Sequence, residues 1–208
     1  MLQTLIINFF FLVLSIPAFA HSPWGQYHVY RQKYLLIMST IPDEPTYQYS
    51  KKLVEAINEL IPEAKARPAR AKNFERVHSL FKTKQMHLVL LSKGNAEALL
   101  EGSGHFSDYG PIDVRTLYAF GDMLLLVQPD FPDSHVWLLA DAFKKMHNRL
   151  PRALTPQQVM VLPNLHPAVL LAIRGDPSPL ICLLSGRKGK IIRNDGHQNK
   201  LNTISLSN

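Results

Sequence analysis

The side chains able to hold a metal or move a proton in this 208-residue sequence include nine histidines, one cysteine and sixteen acids. No two histidines stand at the spacing of a structural or catalytic zinc motif. Cys182 lies in the apolar run Leu180-Ile181-Cys182-Leu183-Leu184 and reads as a small buried hydrophobe. A lone cysteine also cannot close an internal disulfide. His87 and His166 read as structural. One metal alternative stands apart. If the chain is cleaved after Ala20, His21 becomes its N-terminus, and the amine and imidazole could chelate copper with help from His28 or His105. Catalysis finds little support. There is no G-x-S-x-G elbow, no P-loop and no G-x-G-x-x-G. Asp141 and His147 share a helix at a spacing that does not bring them face to face. Asp108, Asp113 and Asp122 lie near glycine-containing loops with no base or metal to pair with. The expectation is a non-catalytic protein without a cofactor.

A different cluster is expected to bind rather than react. Ser39, Thr40, Thr46, Tyr47, Arg70, Lys72, Ser92 and Lys93 bring hydroxyls and cations to the expected ends of successive strands. In open α/β sheets the carboxyl ends of the strands form the ligand crevice. Hydroxyls, cations and helix N-termini there suit an anion or carboxylate.

The elements that must position them follow from hydrophobic pattern. Tyr34 to Ser39 is a continuous apolar run, the pattern of a strand buried on both faces. Tyr49, Leu53, Ile57 and Leu60 recur at helical spacing, with Pro45 suited to the first turn and Pro62 just past the end. Ala64 to Arg70 reads as a strand that Pro68 confines to a sheet edge. Phe74, Val77 and Phe81 mark a second helix, His87 to Leu91 a third strand, and Asn95 to Leu100 a third helix ended by Gly102 and Gly104. This alternation predicts a parallel sheet with right-handed crossovers. Val114 to Phe120 and Met123 to Gln128 are two more strands, joined by Gly121-Asp122 as a hairpin or as a pair crossing between substructures. Asp133 or Ser134 is expected to cap a helix through Val136, Leu139, Ala140, Phe143 and Met146. Thr155 to Val161 and Pro167 to Arg174 are shorter helical pieces. The fold class is α/β, a mainly parallel sheet flanked by helices.

The ends of the chain bear on compartment. Met1 to Ala20 has no Lys, Arg, Asp or Glu, is largely apolar, and closes on Ala18-Phe19-Ala20. That is the anatomy of a secretory signal peptide, and its apolar run is short for a membrane anchor. Removing 20 of the 208 residues leaves 188, one domain with a real core. Residues 21–184 are assigned to one α/β lobe and 185–208 to a disordered tail. Arg187, Lys188, Lys190, Arg193 and Lys200 make that tail basic, and the net charge of the chain is +7. For an exported protein this points away from nucleic acid and toward a solvated tail or weak contact with anionic lipid or an acidic partner.

Three stretches resemble the solute receptors of the TAXI branch of TRAP-type transporters, a class of two-lobed periplasmic binding proteins. The first is Leu35 to Leu60, with Thr46-Tyr47-Gln48-Tyr49-Ser50. The second is Asn73 to Leu100 with Val114 to Tyr118, carrying Asn73-Phe74-Glu75-Arg76-Val77 and Met86-His87-Leu88-Val89-Leu90. The third is Leu124 to Asn148 with the turn Leu165-His166-Pro167-Ala168. In the family a whole second lobe separates the second and third stretches; here Tyr118 and Leu124 are nearly adjacent. The resemblance therefore implies a single lobe of a type 2 periplasmic-binding-protein-like fold, exported to the periplasm. It implies recognition of a small acid or anion for a transport system. The alternative is a former binding lobe reused as an interaction or assembly partner of another periplasmic protein, without a solute. The departures favour caution over the solute. The family's glycine-rich first loop is Ser39-Thr40-Ile41-Pro42-Asp43-Glu44-Pro45 here, with two carboxylates that would repel an anion. Its Thr-Gly-Gly-Ser-like second loop is Ala69-Arg70-Ala71-Lys72. A single lobe also cannot close over a ligand.

Overall fold

Continuous apolar runs become strands, and helical periodicities become helices, in a computed structural model that describes residues 30–179. Strands β1 (Leu36–Thr40), β2 (Arg67–Ala71), β3 (Leu88–Ser92), β4 (Arg115–Phe120) and β5 (Met123–Val127) form one sheet in the order β2-β1-β3-β5-β4. The helices are α1 (Glu44–Leu60), α2 (Phe74–Lys82), α3 (Lys93–Glu101), α4 (Asp133–Met146), α5 (Pro156–Val159) and α6 (Pro167–Arg174).

The sheet is mixed, which corrects the expectation of a mainly parallel one. β1 pairs in parallel with β2 and β3, but β5 runs antiparallel to both of its neighbours, β3 and β4. The cause is the link Gly121-Asp122. A parallel crossover needs a dozen or more residues, so so short a link folds back as a hairpin. Gly121 has φ +65°, a conformation suited to a tight turn. A bulge between Thr116 and Tyr118 shifts the register of β4. It lets Leu117, Tyr118 and Phe120 all join the core on one face.

Both faces of the sheet are covered, which is why its strands are apolar throughout. Ile37, Leu88, Leu90 and Leu125 pack with α1, α4 and α6 through Leu53, Ile57, Phe143 and Ala172. Their strand neighbours Met38, Val89, Leu91 and Leu126 face α2 and α3 through Phe74, Val77, Phe81 and Leu99. Each of the larger of these side chains, fully buried, contributes about 1.5–3 kcal/mol. Leu60, expected on the apolar stripe of α1, is 42% exposed because it ends the helix beyond its packed turns.

Local chemistry sets the helix ends. Pro45 occupies the first turn of α1. The Asn73 side chain accepts the Arg76 N–H at 3.0 Å and starts α2. Gly102 ends α3 at φ +67°. Thr155 and Gln158 form a capping box on α5. The expectation that Asp133 or Ser134 caps α4 is corrected: Pro132 holds that position and no side chain caps the helix. Asp133 lies one residue too far in, and its carboxylate instead lies 3.7 Å from His166 Nε2.

Both sheet edges are protected, as free edges invite aggregation. β2 is an edge strand, as Pro68 predicts, although it begins only at Arg67 because Pro62–Ala64 forms a 3₁₀ turn. Arg67, Ala69 and Ala71 turn their backbone groups toward β1, so the missing N–H of Pro68 falls on the outer side. Asn58 pairs with both backbone groups of Ala66, at 2.7 and 3.0 Å. The outer edge of β4 is covered by the following chain: Leu154 N–H donates to Ala119, Thr116 N–H to Asn164 and His166 N–H to Thr116. No helix among the described residues is long and apolar enough to cross a membrane. The expected leader at 1–20, His21, His28, Cys182 and the expected tail at 185–208 lie outside the described residues.

Candidate functional site

The carboxyl ends of β1 and β3 and the β4–β5 turn lie at one end of the sheet, since Ser92 and Phe120 both pair with Met123. Here the chain would present a crevice. The residues expected to line it separate into distinct groups.

The hydroxyls are spent on the backbone. Ser39 Oγ donates to the Ala69 carbonyl at 3.2 Å and Thr40 Oγ1 to that of Ala71 at 3.3 Å, fastening β1 to β2. Thr46 Oγ1 donates to the Asp43 carbonyl at 2.7 Å in the first turn of α1. All three are fully buried. Tyr47 and Arg70 form a surface pair with the guanidinium 4.5 Å from the ring centroid, and Lys51 lies 4.8 Å from the same ring. Glu44 neutralises Arg70 across 2.9 Å.

The N-terminus of α3 is where an anion would be cradled. The amides of its N-cap and of its first residue already have acceptors. The Asp43 carboxylate accepts the Ser92 N–H at 2.8 Å, and the Asp122 carbonyl accepts the Lys93 N–H at 2.6 Å. Asp43 is 6% exposed, so its carboxylate is an internal group. The Ser92 hydroxyl accepts from Asn95 at 2.9 Å, and the Lys93 ammonium lies 3.9 Å from Glu97. On the hairpin, Arg152 pairs with Asp122 and lies where a side chain on Gly121 would have to go. In the sequence Asp43 reads only as a source of repulsion, and nothing there marks Arg152. The pairing of Asp43 with Ser92 spans 49 residues and left no local signal.

Two tyrosines secure the chain that follows the α4 region. The Tyr49 hydroxyl donates to Pro151 and the Tyr118 hydroxyl to Leu154 at 2.8 Å. Burial pushes Tyr49 up to about 12, against the pull of Arg152, and raises Tyr118 as well. Both phenols are therefore neutral donors. His166 caps α6 by accepting the Ala168 N–H at 3.2 Å. Burial lowers its pKa, with Asp133 opposing and Arg115 adding to the shift. His87 is lowered by burial too, opposed by Asp130. Among the described residues, no three of His, Cys, Asp and Glu gather to hold a metal ion.

Lys72, the last expected site residue, is exposed and lies elsewhere. It borders a groove of about 600 Å³ between β2 and α2, shared with Arg70 and Arg76. The structure thus brings Arg70 and Lys72 to one groove and Ser92 and Lys93 to one helix start, but does not assemble the eight residues into one pocket. No protein-family model matches this sequence, and no curated protein is significantly similar to it.

Proposed function

We propose that this chain is an exported, non-catalytic protein built on a single binding-protein-like lobe, and that it acts as an interaction partner of another protein rather than as a solute receptor. The observation that carries this reading is the Asp43 carboxylate, buried on the Ser92 amide at 2.8 Å. A carboxylate at a helix start is what a small acid would supply. Here the chain supplies its own, so an incoming acid meets a filled site and a like charge. Two further features agree. The turn Gly121-Asp122 joins β4 directly to β5, at the point where the resemblance to TAXI-type receptors puts a second lobe, so among the described residues the crevice has no opposing wall. The hydroxyls of Ser39, Thr40 and Thr46 are turned into the fold. Export rests on the leader ending at Ala18-Phe19-Ala20.

Isothermal calorimetry with dicarboxylates, amino acids and oxyanions tests the reading. The mature wild-type protein is expected to give no binding heat across the panel. Micromolar binding of any member would restore the solute-receptor reading and overturn this one.

A further inference from the structure

We propose that the groove along the edge of β2 that no other described strand pairs with docks an extended, acidic segment of a partner protein that carries an apolar side chain. This rests on the reading of the chain as an interaction module and names where and with what chemistry it interacts.

The groove exists because the edge strand is built from small residues. Ala69 and Ala71 share the face of Met38, so no large side chain of β2 fills the space beside α2. The volume left is about 600 Å³, with Leu36, Met38 and Met86 among its apolar lining. Methionines adapt their shape to varied apolar partners.

The edge itself limits how a partner binds. Asn58 occupies both backbone groups of Ala66, and Pro68 has no N–H to give. By strand alternation Arg70 is left with its N–H and carbonyl both turned away from β1. A segment laid along this edge can therefore pair over a short stretch only. Alternate side chains of such a segment fall on the α2 side, over Ala69 and Ala71.

Charge selects the partner. Lys72 and Arg76 border the groove, and neither has an ion-pair partner among the described residues. Arg31 lines the groove as well and donates to Gln85, while Glu75 is its only acidic lining residue among those described. The excess is positive, as is the +7 charge of the whole chain, so a second copy is repelled and an acidic segment attracted.

The test is fluorescence anisotropy of a labelled synthetic peptide alternating Glu and Val, titrated with mature full-length protein. Binding is expected for this peptide and not for its Lys/Val counterpart. The double variant Lys72→Glu/Arg76→Glu should bind about tenfold or more weakly. Ala69→Leu, which fills the groove, should also lose binding. Lys145→Glu, on α4 across the sheet, should bind as the wild type does. Thermal melts confirm that each variant is folded. No binding of the Glu/Val peptide, or equal binding by the double variant, would overturn the proposal. Displacement of the peptide by decanoate at matching affinity would do the same, by assigning the groove to a small amphiphile. Failure here is separable from failure of the functional reading. Peptide silence beside solute silence removes this groove alone, whereas micromolar solute binding removes the interaction reading whatever the peptide does.

Discussion

At the residue scale, the chain uses polar groups that look functional as fasteners. His166 is the clearest case. As a neutral imidazole it accepts the Ala168 N–H and opens α6, and burial holds its pKa below the ordinary value. The unfolded chain therefore binds the proton more readily. Stability is intact above the unfolded value of about 6.5 and falls as pH drops from there through the lower folded value. His87, also lowered by burial, adds to the same window. Urea denaturation between neutral and mildly acidic pH should show this loss. His166→Asn keeps a capping acceptor without the titration, and should flatten part of the slope. An unchanged slope would mean that His166 is not the titrating group. His166→Ala should cost about 1 kcal/mol at neutral pH. The helix that begins at Pro167 was legible, since proline suits a first helical turn, and His166 read as structural without its cap being identified. The fates of Ser39, Thr40 and Thr46 were not, because a hydroxyl on a buried strand and one on an open rim look alike in sequence.

At the element scale, turns decide the topology. The proline signals of α1 and β2 were legible because proline acts within its own few residues: Pro45 lies in the first turn, Pro62 follows the helix and Pro68 lies on an edge strand. The direction of β5 was not legible. Met123 to Val127 is wholly buried, and an apolar run fits a parallel or an antiparallel strand equally. Only the length of the Gly121-Asp122 turn argued for reversal. Tight turns also give sharp predictions. A Cβ on Gly102 would lie 2.4 Å from the Pro111 nitrogen, at a φ of +67°. Gly102→Ala should thus cost about 1–3 kcal/mol in chemical denaturation. Gly94→Ala, with open space around it, should not destabilise the protein. A larger loss at Gly94 than at Gly102 would contradict the packing described.

At the scale of the whole molecule, the described residues 30–179 build a core on each face of the sheet. A fragment of those residues should fold alone and melt cooperatively by circular dichroism; a non-cooperative melt would mean that the flanking chain contributes to the core. The same packing bears on function. A single sheet with both faces covered and its β4 edge paired offers its ends and the partly capped β2 edge to partners, and at the crevice end the Asp43 carboxylate already holds the Ser92 amide. That occupancy is what closes the crevice to an incoming acid, and removing the carboxylate reopens it. Asp43→Ala should lose about 1–3 kcal/mol by leaving the amide unpaired. The decisive measurement is calorimetric titration of the folded variant and the wild type with formate and acetate, against chloride at equal ionic strength. The variant is predicted to bind these carboxylates and to regain thermal stability with them, while the wild type is silent. Binding by the wild type, or silence from the folded variant, would contradict the account.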